Sequence, residues 1–222
     1  MIQKPKVAII GLGNIGTILA SLFVKGNRPV IVADRKPEKA IELSGKLGAL
    51  VQPAGIVDAI KQADIIIPAI WFNAIKEFFA TYSKELQGKI IIDPSNPIAP
   101  DEKGGFKKII EKEESAGEIL FSLLPKQAKL VKALGTLGAA SLSKAAFNEA
   151  EKAVLFYATE DSNLRSEVDE LIADIGFEPV YLGGLDHSAR IEVFGDLHEF
   201  GAIAKTVTLK EARLFLQQEA IH

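Results

Sequence analysis

The residues with the most chemical content lie in one short run near the start of the chain, Gly11-Leu12-Gly13-Asn14-Ile15-Gly16. Three glycines at this spacing, directly after the apolar Val7-Ala8-Ile9-Ile10, suit a strand-to-helix turn that receives a pyrophosphate. Gly11 permits a tight turn, Gly13 permits a phosphate to come close to the backbone, and Gly16 lets the helix pack against the strand. N–H groups at the helix start, from Leu12 through Asn14 and Ile15, then face the anion.

A second apolar run, Pro29-Val30-Ile31-Val32-Ala33, ends in Asp34, at about the 20-residue distance at which an acid accepts hydrogen bonds from an adenosine ribose. Together the two runs predict a dinucleotide-binding unit of the Rossmann type. A unit of the same shape that serves only as scaffold is the alternative. Asp34 favours NAD, because its charge repels a phosphate on the same ribose. Arg35 and Lys36 point the other way, towards the 2′-phosphate of NADP or the adenine face. They also suit a plain solvated helix start, with Pro37 in its first turn and Glu38 near its positive end. NAD and NADP both stay open on these residues.

Two further strand ends carry candidate groups. Asp64-Ile65-Ile66-Ile67-Pro68 stops at a proline, which cannot donate into a ladder, and Ala69, Ile70 and Trp71 follow. These three are expected against the nicotinamide half of the cofactor, with Trp71 either flanking the ring or sealing the next helix. The segment Asp93-Pro94-Ser95-Asn96-Pro97-Ile98-Ala99-Pro100 is stiffened by its prolines. It holds the hydroxyl of Ser95 and the amide of Asn96 ready for the nicotinamide carboxamide or a substrate. A rigid surface turn, with Asp93 and Asn96 bonded to their own backbone, is the plainer use of the same residues.

The elements that must position these groups alternate along the chain. Strands are expected near 6–10, 29–33, 48–51, 64–69 and 89–92, and helices near 14–25, 37–47, 55–62 and 71–86. Such alternation predicts an α/β fold with a doubly wound parallel sheet, whose ligands bind beyond the carboxyl ends of the strands. Residues 101–118 read as solvated loop and helix, 119–130 as helix, 131–134 as strand and 134–139 as loop. A further unit follows, with strand 152–159, helix 162–175 and strand 178–182. The tail then reads as helix over 185–194 and 197–216. The expected division is a dinucleotide-binding part over 1–130 and a small C-terminal α/β part over 131–222, forming the substrate cleft. Apolar residues at Phe200, Ile203, Ala204, Val207, Leu214 and Phe215 give the last helix a face that closes the core or packs on a second copy, so a homodimer is the expected assembly.

Composition narrows the function. The chain has 222 residues, 48% hydrophobic and 25% charged, and a net charge of −3 that offers no basic field to nucleic acid. It has no cysteine, which excludes thiol chemistry, disulfides and thiolate metal sites. His187, His198 and His222 lack the spacing of a metal motif. Met1 leads through Lys4 and Lys6 straight into the first strand without a leader-like stretch, and no run reaches the roughly 18 apolar residues of a membrane span. A cytoplasmic protein that acts on a small-molecule redox substrate is expected.

Reduction of a carbonyl by hydride transfer needs a proton donor beside the substrate oxygen. No residue stands out for that role: Tyr157, Tyr181 and Lys132 fall in strand-like runs, and Lys126 at a polar helix end. No catalytic residue is therefore assigned. This pattern suits exchange between two redox rings, which the protein need only hold with reacting atoms at about 3–3.5 Å.

In the order and spacing of its motifs the chain resembles the NADP oxidoreductases that work with the 8-hydroxy-5-deazaflavin coenzyme. The resemblance runs through Gly11 to Gly16, Asp34-Arg35-Lys36, Asp93 to Pro97, Ser115-Ala116-Gly117-Glu118 and Lys132-Ala133-Leu134-Gly135-Thr136. It continues through Val154 to Asp161 and Gly176-Phe177-Glu178-Pro179-Val180 to Gly183-Gly184. It implies reversible hydride exchange between NADP and the deazaflavin, in a cleft between the two parts of the chain. It also implies that Trp71, Asn96 and Pro97 border the substrate ring, with Thr136 and Leu137 on the opposite wall. The chain departs from the family pattern at Asp34, where most members carry serine or threonine, and at Gly135, where many carry asparagine or histidine. Two other activities fit the same opening turn: an imine or hydroxy-acid dehydrogenase resembling pyrroline-carboxylate reductase, and a sensor that binds NAD(P) without turnover.

Overall fold

A computed structural model describes residues 4–219; His222 lies outside them. Five strands alternate with four helices through the first part of the chain: β1 Val7–Ile10, α1 Asn14–Lys25, β2 Val30–Ala33, α2 Pro37–Leu47, β3 Val51–Pro53, α3 Ile56–Gln62, β4 Ile65–Pro68, α4 Phe72–Thr81 and β5 Ile90–Asp93. A hairpin of β6 Ile98–Pro100 and β7 Phe106–Lys108, then α5 Ala116–Ser122, leads to β8 Lys129–Lys132. The central sheet has the order β3-β2-β1-β4-β5-β8 with every neighbouring pair parallel. That order is the doubly wound Rossmann arrangement, with its switch point between β1 and β4.

Both faces of the sheet are buried, which is why β1 and β4 read as unbroken apolar runs. Val7 and Ile9 face one core with Leu19 and Phe23 of α1. Ala8 and Ile10 face the other, with Ile60 of α3 and Ile75 and Phe79 of α4. Alternate side chains of one strand thus fill two separate cores, and a register slip of one residue would exchange them.

The remaining elements are α6 Ala139–Ala145, β9 Val154–Tyr157, a short 3-10 turn over Ser162–Leu164, α7 Arg165–Asp174, β10 Glu178–Tyr181, α8 Ser188–Ile191 and α9 Leu209–Glu219. β9 and β10 are a parallel pair joined by α7. They attach to the central sheet where Lys132 and Ala158 exchange backbone hydrogen bonds of 2.9 and 3.0 Å. β8 straddles the boundary expected at residue 130 and forms an edge of the central sheet.

Several expected elements differ from those observed. The segment 101–118 contains a strand of an antiparallel hairpin, and the helix expected over 119–130 is the earlier Ala116–Ser122. The helix expected over 71–86 ends at Thr81. The tail departs most, with only a 3-10 turn at Leu185–His187 and the short α8 before Phe194, and α9 beginning at Leu209. Phe194 and Ala204 have φ of 74° and 52°, which no helix tolerates. Between them the chain folds on itself so closely that a Cβ at Gly201 would lie 1.7 Å from the Gly195 carbonyl oxygen. Apolar spacing alone could not distinguish these successive turns from a helix.

A candidate dinucleotide and substrate cleft

The three glycines of the first turn have separate tasks. Gly11 has φ of 96°, and a Cβ there would lie 2.8 Å from the Ala69 carbonyl oxygen. A Cβ at Gly16 would lie 1.9 Å from the Gly11 carbonyl oxygen. Both positions are closed to a side chain. Gly13 is exposed, and its added Cβ would meet nothing within 4 Å. It is the N-cap residue of α1 and provides no side-chain cap, so the first-turn N–H groups are left to a ligand. Space for a phosphate at this point, and at neither of the other glycines, is the fit expected of a dinucleotide.

Asp34 braces this turn from the end of β2. Its carboxylate accepts hydrogen bonds from the N–H groups of Leu12, at 2.8 Å, and Lys36, at 3.0 Å. Partial burial works against its ionisation, but those two donors, with Lys39 and Arg35 nearby, outweigh it and hold the carboxyl below its ordinary value. Each oxygen keeps a lone pair for a ribose hydroxyl. Arg35 and Lys36 are exposed beside it, at the outer end of the site.

A cleft of about 610 Å³ opens over the carboxyl ends of the strands, within the range of small-molecule sites. Gly13, Asn14 and Ile15 line one end, and Ala69, Ile70 and Trp71 continue along it. Trp71 caps α4 through its carbonyl, which accepts from the N–H groups of Ala74 and Ile75. Its exposed side chain faces the cleft instead of sealing the helix, with its ring centroid 6.4 Å from that of Phe106.

Ser95 and Asn96 form the floor, with Leu137 on the opposite wall. Pro97 and Thr136 are buried behind the surface and do not line it. The amide of Asn96 is committed to the protein, since Nδ2 donates to the Gly135 carbonyl at 3.0 Å and Oδ1 accepts from the Val193 N–H at 2.7 Å. Asn96 therefore fastens the floor to the far wall. The hydroxyls of Ser95 and Thr136 are buried without a protein partner, and Ser95 is among the residues that line the cleft.

Sequence reasoning missed the segment that closes the far side. Val193, His198, Glu199 and Phe200 all line the cleft. His198 Nδ1 accepts from the Phe200 N–H at 3.0 Å, so Nε2 carries the proton donated to the Gly135 carbonyl at 3.0 Å. Burial disfavours the imidazolium and pushes the pKa down to about 4. Glu199 accepts a hydrogen bond from the Gly138 N–H at the start of α6. The departure from the family pattern at Gly135 has a steric reason, as a Cβ there would lie 2.6 Å from the Pro94 carbonyl oxygen. Gly201, in a stretch read as helix, and Gly195, between two such stretches, were the available sign that this segment turns.

Beneath the floor Lys132 is buried, although its place in a strand-like run gave it no mark of a buried base. Its Nζ lies 2.8 Å from Asp93 Oδ2 and also donates to the Ser95 carbonyl. Asp93 Oδ1 accepts from the Ser95 N–H at 2.8 Å. Glu192, also buried, accepts from the N–H groups of Ala116 and Gly117 at the start of α5. Desolvation raises its pKa against the opposing pull of Lys132 and of those two donors. This network fixes the floor loop from below. Among the described residues no group of three His, Cys, Asp or Glu side chains is placed to hold a metal ion, and no helix is long and apolar enough to cross a membrane.

Residues 6–97 match the family model described as NADP oxidoreductase coenzyme F420-dependent. The chain is 27% identical over 198 residues to the F420-dependent NADP reductase of Methanothermobacter thermautotrophicus, a match that takes in 84% of each chain. It is 27% identical over 190 residues to metalloreductase STEAP3 of Rattus norvegicus, covering 86% of this chain and 36% of that protein. The chain thus spans about a third of that relative's length. Among solved structures, protein SMa0349 of Sinorhizobium meliloti superposes with a TM-score of 0.79 at 30% identity, covering 92% of this chain and 95% of the other.

Proposed function

Residues 6–97 match the NADP oxidoreductase coenzyme F420-dependent family model, and from that premise we propose that the chain is an NAD(P)-dependent oxidoreductase exchanging a hydride with a deazaflavin or a related redox ring. The open Gly13, between two glycines closed by packing, carries this reading. The pyrophosphate lies on the N–H groups of Gly13, Asn14 and Ile15, and the adenosine ribose lies near Asp34. Arg35 and Lys36 are the cations available to a 2′-phosphate. The nicotinamide half runs past Ala69 and Ile70 towards Trp71 and Ser95.

When bound, a reduced nicotinamide supplies the hydride. The protein's own contribution is to fix one ring against the Ser95-Asn96 floor and to exclude water with apolar walls. Residues 1–130 form the dinucleotide-binding part in this reading, and 131–222 supply the opposite wall, in a chain that pairs as a homodimer. A second reading, reduction of an imine, draws on Glu199, whose carboxylate at the cleft favours a cationic substrate.

The test is equilibrium binding of NADPH and NADH to purified protein, followed by addition of an oxidised deazaflavin, an oxidised flavin and a cyclic imine in turn. Oxidation of NADPH by either ring compound is the expected result, with tighter binding of NADPH than of NADH. Oxidation by the imine alone would transfer the assignment to imine reduction. Binding without oxidation by any of the three would identify a sensor.

A further inference from the structure

The main-chain groups of the loop after β5 are nearly all spoken for. Pro94 and Pro97 have no N–H. The Ser95 N–H donates to Asp93 Oδ1 at 2.8 Å. The carbonyls of Ser95, Asn96 and Pro97 accept in turn from Lys132 Nζ, the Ile98 N–H and the Ile109 N–H. Between Asp93 and Ile98 that leaves one donor, the Asn96 N–H, which has no acceptor among the described residues. Main-chain donors are nearly always paired in a folded protein. Asn96 is partly exposed where it lines the cleft, so the partner for this donor is a ligand.

The direction of that N–H is set from below. In a trans peptide the carbonyl and the following N–H point to opposite sides, and no cis bond occurs among the described residues. The Ser95 carbonyl turns down onto the buried Lys132. The Asn96 N–H therefore turns up, away from Lys132 and towards the cleft. Lys132 is itself fixed, with Nζ 2.8 Å from the buried carboxylate of Asp93. An ammonium donating to the carbonyl also polarises the amide, which makes its N–H the stronger donor.

Sheet order indicates what lies above. Asp34 follows β2, the glycine turn follows β1, Ala69 and Ile70 follow β4, and Asn96 lies past the end of β5, in strands adjacent in the order β2-β1-β4-β5. A dinucleotide with its ribose at Asp34 and its pyrophosphate at Gly13 brings its nicotinamide to the ends of β4 and β5. The polar substituent of that ring is a carboxamide, whose oxygen is an acceptor. We propose that the main-chain N–H of Asn96 holds the carboxamide oxygen of the nicotinamide, and that Lys132 is the positioning residue that aims it. The inference deepens the proposed function and rests on the dinucleotide lying along these strand ends.

The probes are NADP⁺ and 2′-phospho-ADP-ribose, the same molecule without its nicotinamide, each titrated calorimetrically. NADP⁺ is expected to bind about tenfold more tightly, the scale of one well-made hydrogen bond. The 3-acetylpyridine analogue of NADP⁺ keeps the oxygen and loses the amide nitrogen, and should bind within about twofold of NADP⁺. Asn96→Ala keeps the N–H and the preference for NADP⁺. Asn96→Pro loses the same side chain together with the N–H, and brings the preference near unity. Asp93→Asn combined with Lys132→Met keeps an acceptor for the Ser95 N–H, frees the Ser95 carbonyl and removes both charges of the pair; it also brings the preference near unity. In all three variants the affinity for 2′-phospho-ADP-ribose is expected to stay unchanged.

Equal binding of the two probes by the native protein, equal preferences in Asn96→Ala and Asn96→Pro, or weak binding of the acetylpyridine analogue would each overturn the proposal. So would a parallel loss of both probes in Asn96→Pro and the double variant, which assigns these residues a structural role alone. A preference retained in the double variant would overturn the role of Lys132. Failure of the native protein to bind either probe would overturn the dinucleotide reading itself, and this inference with it.

Discussion

One wall of the cleft is drawn from residues 7–16, where β1, the glycine turn and α1 follow in unbroken succession and the site is made of backbone atoms. The facing wall draws on segments near Asp93, Lys132, Gly135 and His198, joined mainly by side chains to backbone carbonyls and N–H groups. The first wall can lose ligand binding without losing stability, because its key position touches only solvent. The second cannot, because the groups that shape its surface also hold the protein together.

Gly13→Asp is the strongest way to break this comparison. A Cβ has open space there, and aspartate is a favoured N-cap residue, so chemical denaturation should show unchanged or slightly increased stability. Dinucleotide affinity should fall by about 1,000-fold, the loss of roughly two charge-assisted hydrogen bonds plus charge repulsion. Retained affinity would show that the phosphates bind elsewhere.

The facing wall should respond to pH through His198. Its pKa falls from an ordinary 6.5 to about 4 on folding, so between those values the unfolded chain binds more protons and acid favours unfolding. Stability from this group is present above pH 6.5 and lost as pH falls towards 4, by about 3 kcal/mol in all. Glu192, an acid with a raised pKa, acts in the opposite sense. The readout is therefore the difference in urea midpoint between native protein and His198→Gln across that window. Parallel pH profiles would mean that His198 is not held neutral.

A smaller effect is expected from Asn96→Ala, which removes the bonds to Gly135 and Val193. The cost should be about 2 kcal/mol of stability, from two partly buried hydrogen bonds. Measured by thermal unfolding beside Gly13→Asp, it sharpens the contrast: one variant loses ligand and keeps the fold, and the other loosens the fold. A loss under about 0.5 kcal/mol, the scale of an ordinary surface change, would place Asn96 among the free polar groups of the cleft.

Most of the central sheet was legible in the sequence because its strands are buried on both faces and its helices start at local signals such as Gly13 and Pro37. α1 and α2 have the very bounds that the pattern predicted. The same local signals misjudged the stretch from Leu185 to Thr208, where turns repeat at nearly helical spacing and the deciding contacts are between backbones. On the site, Trp71 and Ser95 were found by lying just past strand ends. Glu199 and Phe200 were missed because no strand delivers them.

The sequence by itself determined the strand, glycine turn and helix, the acid at the end of β2 and the stiff loop after β5, since each depends on backbone geometry within a few residues. Only the tertiary structure decided that Asn96 is spent on the protein, that Lys132 is buried, and that His198 meets a carbonyl 63 residues earlier in the chain. Those outcomes follow from the need of buried polar atoms for partners. Such partners are supplied by whatever segment the fold brings alongside, and no periodicity in the chain records which one it will be.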